Sequence, residues 1–391
     1  MRKLNIAFYT DTYSPNVDGV VTSMQNFKNE LERRGHRVFI FASGDRKAKR
    51  KYSNDRTFIS TGVRLKQYPQ YKVALFPYKN IGKLRKLDLD VIHSHTPFFM
   101  GFTGLMASKF LGYPIVGSFH TIVNNKEIVK AYYPKNKYLK KFTSKYLWEY
   151  VKFFYRSCDL TTVPSEPIAN MLRKAGVARL SELPNSVDMN VFNPRVGGNG
   201  IRRNLGIQKK DRVVLYLGRL SREKKLETFL MASKLLIERN KDVHVIIGGT
   251  GPAERYYQDY ARSIGLNGNV NFVGFVPQEQ LANVYASSDV LCLPSTFETH
   301  GIVCLEAMAT GKPVVGADYL ALKNMITNGK NGEKFKPGDY IRCAQKIERV
   351  LNNSDTYKEQ AIETAREFSV KKVTDKLLDI YDLVLSEKAI Y

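Results

Sequence analysis

The stretch Glu298-Thr299-His300-Gly301-Ile302-Val303-Cys304-Leu305-Glu306 sets two carboxylates on either side of a glycine. The apolar run from Asp289 to Pro294 predicts a short buried strand before it, and residues 302 to 309 predict a helix that Gly311 ends. Gly301 permits a tight turn at the helix start, where unpaired N–H groups and the positive dipole end attract anions. The carboxylates could then accept hydrogen bonds from a ligand with hydroxyls and phosphate, such as a sugar nucleotide. The alternative is two surface glutamates.

Length and composition predict a globular protein of two domains. The chain has 391 residues, of which 43% are hydrophobic and 25% charged. No apolar run is long enough to span a bilayer, and Arg2-Lys3 leads directly into a strand-like segment rather than a signal peptide, so we expect a cytoplasmic protein. The four cysteines lack metal-binding spacing, which predicts reduced structural thiols and no metal site.

Positive charge is concentrated in the first half of the chain. The net charge is +24; residues 1 to 190 contain 32 Lys and Arg against 14 Asp and Glu, whereas the remaining residues contain 29 against 23. Such a field suits an anionic partner, and nucleic acid and an anionic membrane surface are both adequate.

The first half begins with a strand, a loop, a helix and a second strand. Leu4 to Thr10 is the first strand, and the loop from Asp11 to Gly19 lies at its carboxyl end, where parallel sheets bind ligands. Asp45 to Arg56 is polar and basic and is interpreted as a surface loop. His120 follows the strand from Ile115 to Phe119, so it points toward the expected ligand site. An ordinary connection and an incidental histidine remain the alternatives.

Residues 126 to 156 form a basic and aromatic helix with two interpretations. They contain nine Lys and Arg and two acidic residues. Its aromatic stripe and the lysines beside it are Tyr138, Phe142, Tyr146, Tyr150, Lys137, Lys140, Lys141 and Lys145. This composition suits a helix lying on anionic lipid, and it equally suits a helix that packs its aromatics into its own domain.

The second half repeats the alternation of strands and helices after an irregular passage, which predicts a domain boundary near residues 190 to 205. Gly218-Arg219 follows the first strand and Lys224-Lys225 opens the next helix, an arrangement that suits pyrophosphate. A glycine run, Gly248 to Pro252, follows the second strand and would let a nucleotide approach the backbone, or could be only a turn.

The last segment, with Val373 to Leu385 apolar on one face, predicts a docking helix.

These motifs together resemble the retaining glycosyltransferases of the GT-B fold, in family four. The glutamates at 298 and 306 match the E-x7-E motif of that family, Gly218-Arg219 with Glu223-Lys224 matches its phosphate-binding segment, and Gly249 to Pro252 matches its glycine turn. The similarity covers nearly the whole chain. His93-Ser-His-Thr-Pro and Phe119-His120-Thr121 look most like glycolipid-forming members, such as diacylglycerol glucosyltransferases and phosphatidylinositol mannosyltransferases.

The resemblance implies an α/β fold of two Rossmann-like domains whose parallel sheets face a cleft. Residues 1–190 would form an acceptor and membrane-facing domain, and residues 191–368 would bind the nucleotide sugar. Residues 369–391 would form a helix that packs back on the first domain.

The resemblance also implies roles for single residues. Arg219 and Lys224 would hold the donor diphosphate, Glu298 the sugar hydroxyls, Glu306 the ribose, and His120 the donor sugar near the acceptor. Donor contacts would also come from Gly19, Gly249, Gly251, His300, Gly301, Ile302 and Val303. Two positions depart from the family pattern: Asp18 stands where many relatives have a glycine, and His300 stands where the glycolipid branch commonly has glutamine.

The implied activity is transfer of a hexose, glucose or mannose, from a UDP- or GDP-sugar to a membrane lipid such as diacylglycerol or a phospholipid headgroup. The enzyme would be peripheral at the cytoplasmic membrane face and would need no metal or other cofactor. A soluble or polysaccharide acceptor is the alternative within the family. Nucleic-acid binding through the basic half and a catalytically inactive membrane scaffold are the alternatives outside it. The donor base, the acceptor and the oligomeric state stay open.

Overall fold

The chain forms two compact units. The computed structural model describes residues 2–16, 18–65, 68–74, 84–120, 137–266, 268–296, 298 and 301–388. The first unit comprises Met1–Asn185 together with Val370–Tyr391, and the second comprises Ser186–Ser369. The chain therefore enters the second unit a few residues before the boundary that its proline and glycine content predicts.

The first unit is built on an eight-stranded sheet with the spatial order β4-β3-β2-β1-β5-β6-β7-β8. Its strands are β1 (Asn5–Thr10), β2 (Arg37–Gly44), β3 (Thr57–Leu65), β4 (Tyr68–Ala74), β5 (Val91–Ser94), β6 (Ile115–Ser118), β7 (Leu160–Val163) and β8 (Leu180–Glu182). All neighbours are parallel except β3 and β4, which are antiparallel. The strand order changes direction between β1 and β5, so the loops after these two strands diverge there and leave room for a ligand.

Helices cover this sheet on both faces. They are α1 (Gly19–Arg33), α2 (Arg46–Tyr52), α3 (Phe99–Leu111), α4 (Lys137–Ser157) and α5 (Glu166–Lys174). The connection through α1 runs from β1 to β2, toward one edge of the sheet. The connections through α3, from β5 to β6, and through α4, from β6 to β7, run toward the other edge. Because such crossovers are right-handed, α3 and α4 share one face of the sheet and α1 lies on the other.

Helix α2 corrects the prediction of a surface loop over Asp45 to Arg56. The carboxylate of Asp45 accepts a hydrogen bond of 2.8 Å from the N–H of Ala48 and so caps the helix, and the Ala48 side chain is buried. The Tyr52 side chain also packs against the core of the first unit, so a cap and two core contacts order a segment whose remaining side chains are mostly charged.

The second unit has a six-stranded parallel sheet with the order β11-β10-β9-β12-β13-β14. Its strands are β9 (Arg212–Leu217), β10 (Val243–Gly248), β11 (Val270–Gly274), β12 (Val290–Leu293), β13 (Val314–Ala317) and β14 (Gly332–Phe335). Its helices are α6 (Asn199–Asn204), α7 (Leu226–Arg239), α8 (Glu254–Ser263), α9 (Gln278–Ala286), α10 (Ile302–Ala309), α11 (Leu320–Met325), α12 (Tyr340–Asn352) and α13 (Ser354–Glu367). The order changes direction between β9 and β12, which places the loops after these two strands at the ligand position of such sheets.

The last helix, α14 (Val370–Lys388), returns to the first unit. The face predicted to dock is the buried one, with Val373, Leu377 and Tyr381 fully enclosed. These side chains join the core that α1 and the strands β1 and β2 form. Among the described helices, none combines the length and the apolar character needed to cross a bilayer.

Candidate functional site

Lys224 and Glu298 meet at the switch point of the second sheet. Lys224 ends a short 3-10 turn, Arg222–Lys224, that follows β9, and Glu298 lies in the loop after β12. Lys224 Nζ donates a hydrogen bond of 2.5 Å to Glu298 Oε1, and both side chains are less than one-fifth exposed. The structure thus joins a predicted phosphate-binding cation to a predicted sugar-binding carboxylate.

Glu306 is buried, so the interpretation of two surface glutamates is wrong for it. Glu306 is 5% exposed, and the hydroxyl of Tyr285 in α9 donates a hydrogen bond of 2.7 Å to Glu306 Oε2. Burial raises the pKa of Glu306 to about 7, and the Tyr285 hydrogen bond opposes that rise only in part. A buried carboxylate with spare acceptor capacity is suited to bind ligand hydroxyls.

Gly301 provides the predicted turn between Glu298 and α10. Its φ of +60° is left-handed, and a Cβ atom at this position would lie 2.7 Å from Met325 Cε. The helix begins directly after it, with Ile302 and Val303 in its first turn, as predicted. The first N–H groups of an α-helix lack intrahelical partners, so this turn can receive an anion. His300 lies outside the described residues.

The glycine turn packs against the loop that holds Arg219. A Cβ atom at Gly249 would lie 1.9 Å from the carbonyl oxygen of Gly218, and one at Gly251 would lie 2.3 Å from that of Leu220. The N–H of Leu220 donates to the carbonyl of Thr250 at 3.0 Å. Both glycines are therefore required by contact between two backbone segments. The contact involves the residues on either side of Arg219, whose own side chain is exposed.

In the first unit, Gly19 begins α1 and Asp18 caps it. The Asp18 Oδ1 atom accepts hydrogen bonds from the N–H groups of Val20 and Val21 at 3.0 and 2.9 Å. Burial raises the pKa of this carboxyl. A carboxylate thus occupies two N–H groups at the start of this helix. The predicted phosphate contact of Gly19 stays a prediction.

A second buried carboxylate, Asp11, lies in the same loop. It accepts a hydrogen bond of 2.6 Å from Thr96 Oγ1 and one of 2.9 Å from the N–H of Met100, at the start of α3. Burial raises the pKa of Asp11 to about 6, although these hydrogen bonds act in the opposite direction. Asp11 therefore ties the loop after β1 to the loop after β5, across the switch point.

His120 belongs to a histidine cluster beside these loops. It follows β6, and its Nε2 atom lies 3.4 Å from Nδ1 of the buried His95. His95 stacks in turn on His93, with ring centroids 4.2 Å apart. The structure thus connects the predicted His120 to two histidines for which the sequence suggested no role.

The predicted lipid-binding lysines all lie on α4. Of these four, Lys145 has an exposed side chain, and the side chains of Lys137, Lys140 and Lys141 lie outside the described part of the chain. Exposed aromatic residues lie on the described part of α4 and on its neighbour α3. We call this set the aromatic surface; it comprises Phe99, Phe102, Phe110, Tyr146 and Phe153.

The sequence did not indicate Tyr285 and His95, which contact the predicted site residues Glu306 and His120. Tyr285 has no sequence signal, since it lies on a different helix from Glu306. His95 stands in the quoted His93-Ser-His segment, and its position directly after β5 could have indicated a site residue. Within the described residues, no three His, Cys, Asp or Glu side chains are grouped so as to hold a metal ion.

Two family models match the chain and together span most of it. The model described as "Glycosyltransferase Family 4" matches residues 17–191, and the model described as "Glycosyl transferases group 1" matches residues 199–368. The two matches therefore correspond closely to the two structural units.

Two proteins of known activity are similar in sequence to this chain over most of its length. The alpha-monoglucosyldiacylglycerol synthase of Streptococcus pneumoniae is 27% identical over 98% of this chain and 87% of its own length. The sulfoquinovosyl transferase SQD2 of Arabidopsis thaliana is 30% identical over 87% of this chain and 65% of its own length.

Among solved structures, HepE from Anabaena in complex with UDP-glucose aligns with a TM-score of 0.74 at 21% identity, over 97% of this chain and 99% of that chain. The likeness concerns the fold, and with the two parallel sheets described above it confirms the predicted GT-B fold.

Proposed function

Because the chain belongs to the glycosyltransferases of group 1 and family 4, we propose that it transfers a hexose from a nucleotide sugar to a membrane lipid and retains the anomeric configuration. The observation that carries the proposal is the pair of Lys224 and Glu298 at the switch point. A diphosphate needs cations and a sugar needs carboxylate acceptors, and this pair offers both groups within a single contact.

The remaining groups of the second unit extend this pair into a donor site. Arg219 adds a second cation, the first turn of α10 adds N–H groups, and Glu306 adds a carboxylate for the ribose. In the ion pair, Glu298 holds the Lys224 ammonium in place before the donor binds, so little ordering is left for the binding step.

In the proposed reaction, the bond from the anomeric carbon to the donor phosphate breaks and a bond to the acceptor oxygen forms on the same face. The acceptor proton goes to the departing phosphate oxygen. Arg219 and Lys224 stabilise the negative charge that develops on the leaving diphosphate. UDP-glucose is α-linked, and the pneumococcal relative is named for an alpha product, which supports retention.

The lipid acceptor is supported by the composition of the first unit. Residues 1 to 190 hold an excess of positive charge, and the exposed side of α3 is almost wholly apolar. Phe110 is 77% exposed and Phe99 is 48% exposed. Exposed aromatics among basic residues are typical of surfaces that enter the headgroup region of anionic membranes.

The test is an assay with radiolabelled UDP- and GDP-hexoses and vesicles made from a native lipid extract. We expect a labelled lipid with at least one donor, and the same yield in the presence of EDTA. If no donor gives a labelled lipid, the proposal is wrong. A soluble labelled product that forms equally well without vesicles would favour a soluble acceptor.

The role of Lys224 is tested with a matched pair of variants. Lys224→Met keeps the aliphatic stem and removes the charge, so transfer should fall at least 100-fold because the leaving group loses an electrostatic partner. Vesicle binding should not change. Lys234→Met, which removes a partly exposed lysine of the same unit, is the control and should keep full activity. Equal activity of both variants would contradict the proposed site.

A further inference from the structure

The loop that carries Lys224 contains a strained residue. Lys225 directly follows Lys224 and has a φ of +54°, a left-handed conformation that glycine adopts readily and lysine rarely does. Such a conformation persists only where the surrounding contacts hold the backbone in place. The contacts that hold Lys225 therefore also bear on the position of its neighbour Lys224, which donates to Glu298.

One hydroxyl contacts the loop on both sides of Lys225. Tyr257 lies on α8 and is fully buried. Its hydroxyl donates a hydrogen bond of 3.1 Å to the carbonyl of Ser221, before the 3-10 turn, and accepts one from the N–H of Leu226. Burial raises the pKa of this hydroxyl, so it remains protonated and donates at neutral pH. The hydroxyl thus joins the two ends of residues 221–226.

The two backbone groups that meet the hydroxyl are both important to the loop. Leu226 is the first residue of α7, so its buried N–H has no partner within the helix. The carbonyl of Ser221 also accepts a hydrogen bond of 3.0 Å from the N–H of Lys224 and so closes the 3-10 turn. A single carbonyl therefore links the Tyr257 hydroxyl to the backbone of Lys224.

Helix α8 holds the same loop at a further point. The N–H of Ala253, directly before α8, donates to the carbonyl of Leu220 at 2.9 Å, and the N–H of Tyr257 donates to the carbonyl of Ala253 at 3.0 Å. These two residues lie one helical turn apart. The loop is thus attached to the start of α8 at Leu220, Ser221 and Leu226.

We propose that Tyr257 is a positioning residue, whose hydroxyl holds the strained loop so that Lys224 stays directed at the donor diphosphate. The inference rests on the proposed function, in which Lys224 stabilises the leaving diphosphate. Tyr257 touches no substrate in this role, because it is enclosed in the core of the second unit. It acts through the backbone on either side of Lys224 and Lys225.

Tyr257→Phe removes the hydroxyl and keeps the ring. We expect this variant to lower kcat about tenfold, because a displaced cation stabilises the leaving group less well. Tyr260→Phe is the control: it lies on the same helix, and its hydroxyl has no hydrogen-bond partner in the described part of the chain, so it should keep full activity. Circular dichroism checks that both variants are folded at the assay temperature. Equal activity of the two variants would overturn the proposal.

Two double-mutant cycles separate this role from a general loss of packing. In the Lys224→Met background, Tyr257→Phe should have little further effect on kcat, because the group that it positions is gone. In the Lys225→Gly background, it should lower kcat about threefold at most, because glycine adopts the left-handed conformation without strain. Each cycle compares ratios, so the effect of the missing Lys225 charge cancels. The same tenfold loss in every background would overturn the proposal.

Hydrogen exchange of the Leu226 amide provides a readout that does not depend on activity. The Tyr257 hydroxyl protects this N–H in the wild type, so in Tyr257→Phe it should exchange at least about tenfold faster. In Tyr260→Phe it should exchange as in the wild type. An unchanged rate in Tyr257→Phe would overturn the inference. If the rate rises as expected in a protein that transfers sugar from no donor, the inference stands for the loop and the proposed function fails.

Discussion

Glu306 is a carboxylate whose buried environment opposes its own charge. Its pKa is raised to about 7 by burial, so much of it is protonated at neutral pH. Ligand hydroxyls that donate to it require the ionised form. We expect the Kd of UDP- or GDP-hexose, measured by calorimetry, to fall about tenfold between pH 6 and pH 8. The diphosphate of a sugar nucleotide does not titrate in this range, so the change in Kd would reflect titration of a group on the protein.

Glu306→Gln is the control for this pH dependence. It keeps an oxygen that accepts from Tyr285 but cannot ionise, so its donor affinity should be weaker at high pH and nearly flat with pH. The raised pKa also favours the protonated folded state, so wild-type stability should fall as pH rises from about 4.5 to about 7. The variant should show a smaller fall, because Asp11, whose pKa burial also raises, still titrates in it. A variant with the same pH dependence as wild type would assign the titration to another group.

At the residue scale, the sequence predicts the identity of the site residues better than it predicts their hydrogen-bond partners. The pair of Lys224 and Glu298 follows from two motifs that each come after a neighbouring strand, because parallel strands bring their carboxyl ends together. Tyr285 and His95 do not follow, because each reaches its partner through the packing of elements distant in sequence.

At the scale of elements, the glycine turn is a contact between two loops. A Cβ atom at Gly251 would lie 2.3 Å from a backbone oxygen, which cannot move aside as a side chain can. We expect Gly251→Ala to lower the free energy of unfolding by about 1–3 kcal/mol, measured by chemical denaturation. Gly249→Ala should cost more, since its φ of +123° adds backbone strain.

Gly200→Ala is the matched control for the glycine turn. Gly200 lies in the first turn of α6, and a Cβ atom there would meet no atom within 4 Å. This variant should be within about 0.5 kcal/mol of wild type, or slightly more stable. If all three glycine variants were equally stable, the two loops could not be packed as closely as the structure has them.

The sequence predicts helices and strands best where burial produces a regular pattern of apolar residues. Strand β12 and helix α10 occupy the residues expected for them, because a fully buried parallel strand reads as a continuous apolar run. Helix α2 was predicted to be a loop, since its apolar side chains, Ala48 and Tyr52, are too few to give a periodic pattern. Strand β8 has three residues, all at least partly exposed, and gives no such pattern.

At the scale of the whole molecule, the basic charge and the aromatic surface lie in the same unit. We expect Phe99, Phe102 and Phe110 together changed to serine to weaken vesicle binding at least tenfold, on both neutral and anionic vesicles, because apolar area no longer enters the lipid. Changing Lys137, Lys141 and Lys145 to glutamine should weaken binding to anionic vesicles alone, with a smaller dependence on salt. Sedimentation with vesicles measures both.

Phe275→Ser is the control for the aromatic surface. Phe275 belongs to the second unit and is 58% exposed, so it matches the phenylalanines of α3 in exposure but not in surroundings. Its loss should leave vesicle binding unchanged. If the triple serine variant bound vesicles as well as Phe275→Ser does, the membrane would have to contact another part of the chain.

The return of α14 to the first unit has a consequence for biosynthesis. A ribosome completes residues 1 to 185 long before it reaches Val370, yet the core of that unit includes Val373, Leu377 and Tyr381. The second unit is continuous in sequence and can finish folding while the first still exposes an apolar face. The first unit, although its synthesis begins first, therefore cannot be completed until α14 has been made, and the Tyr381 hydroxyl that supports His93 arrives with that helix.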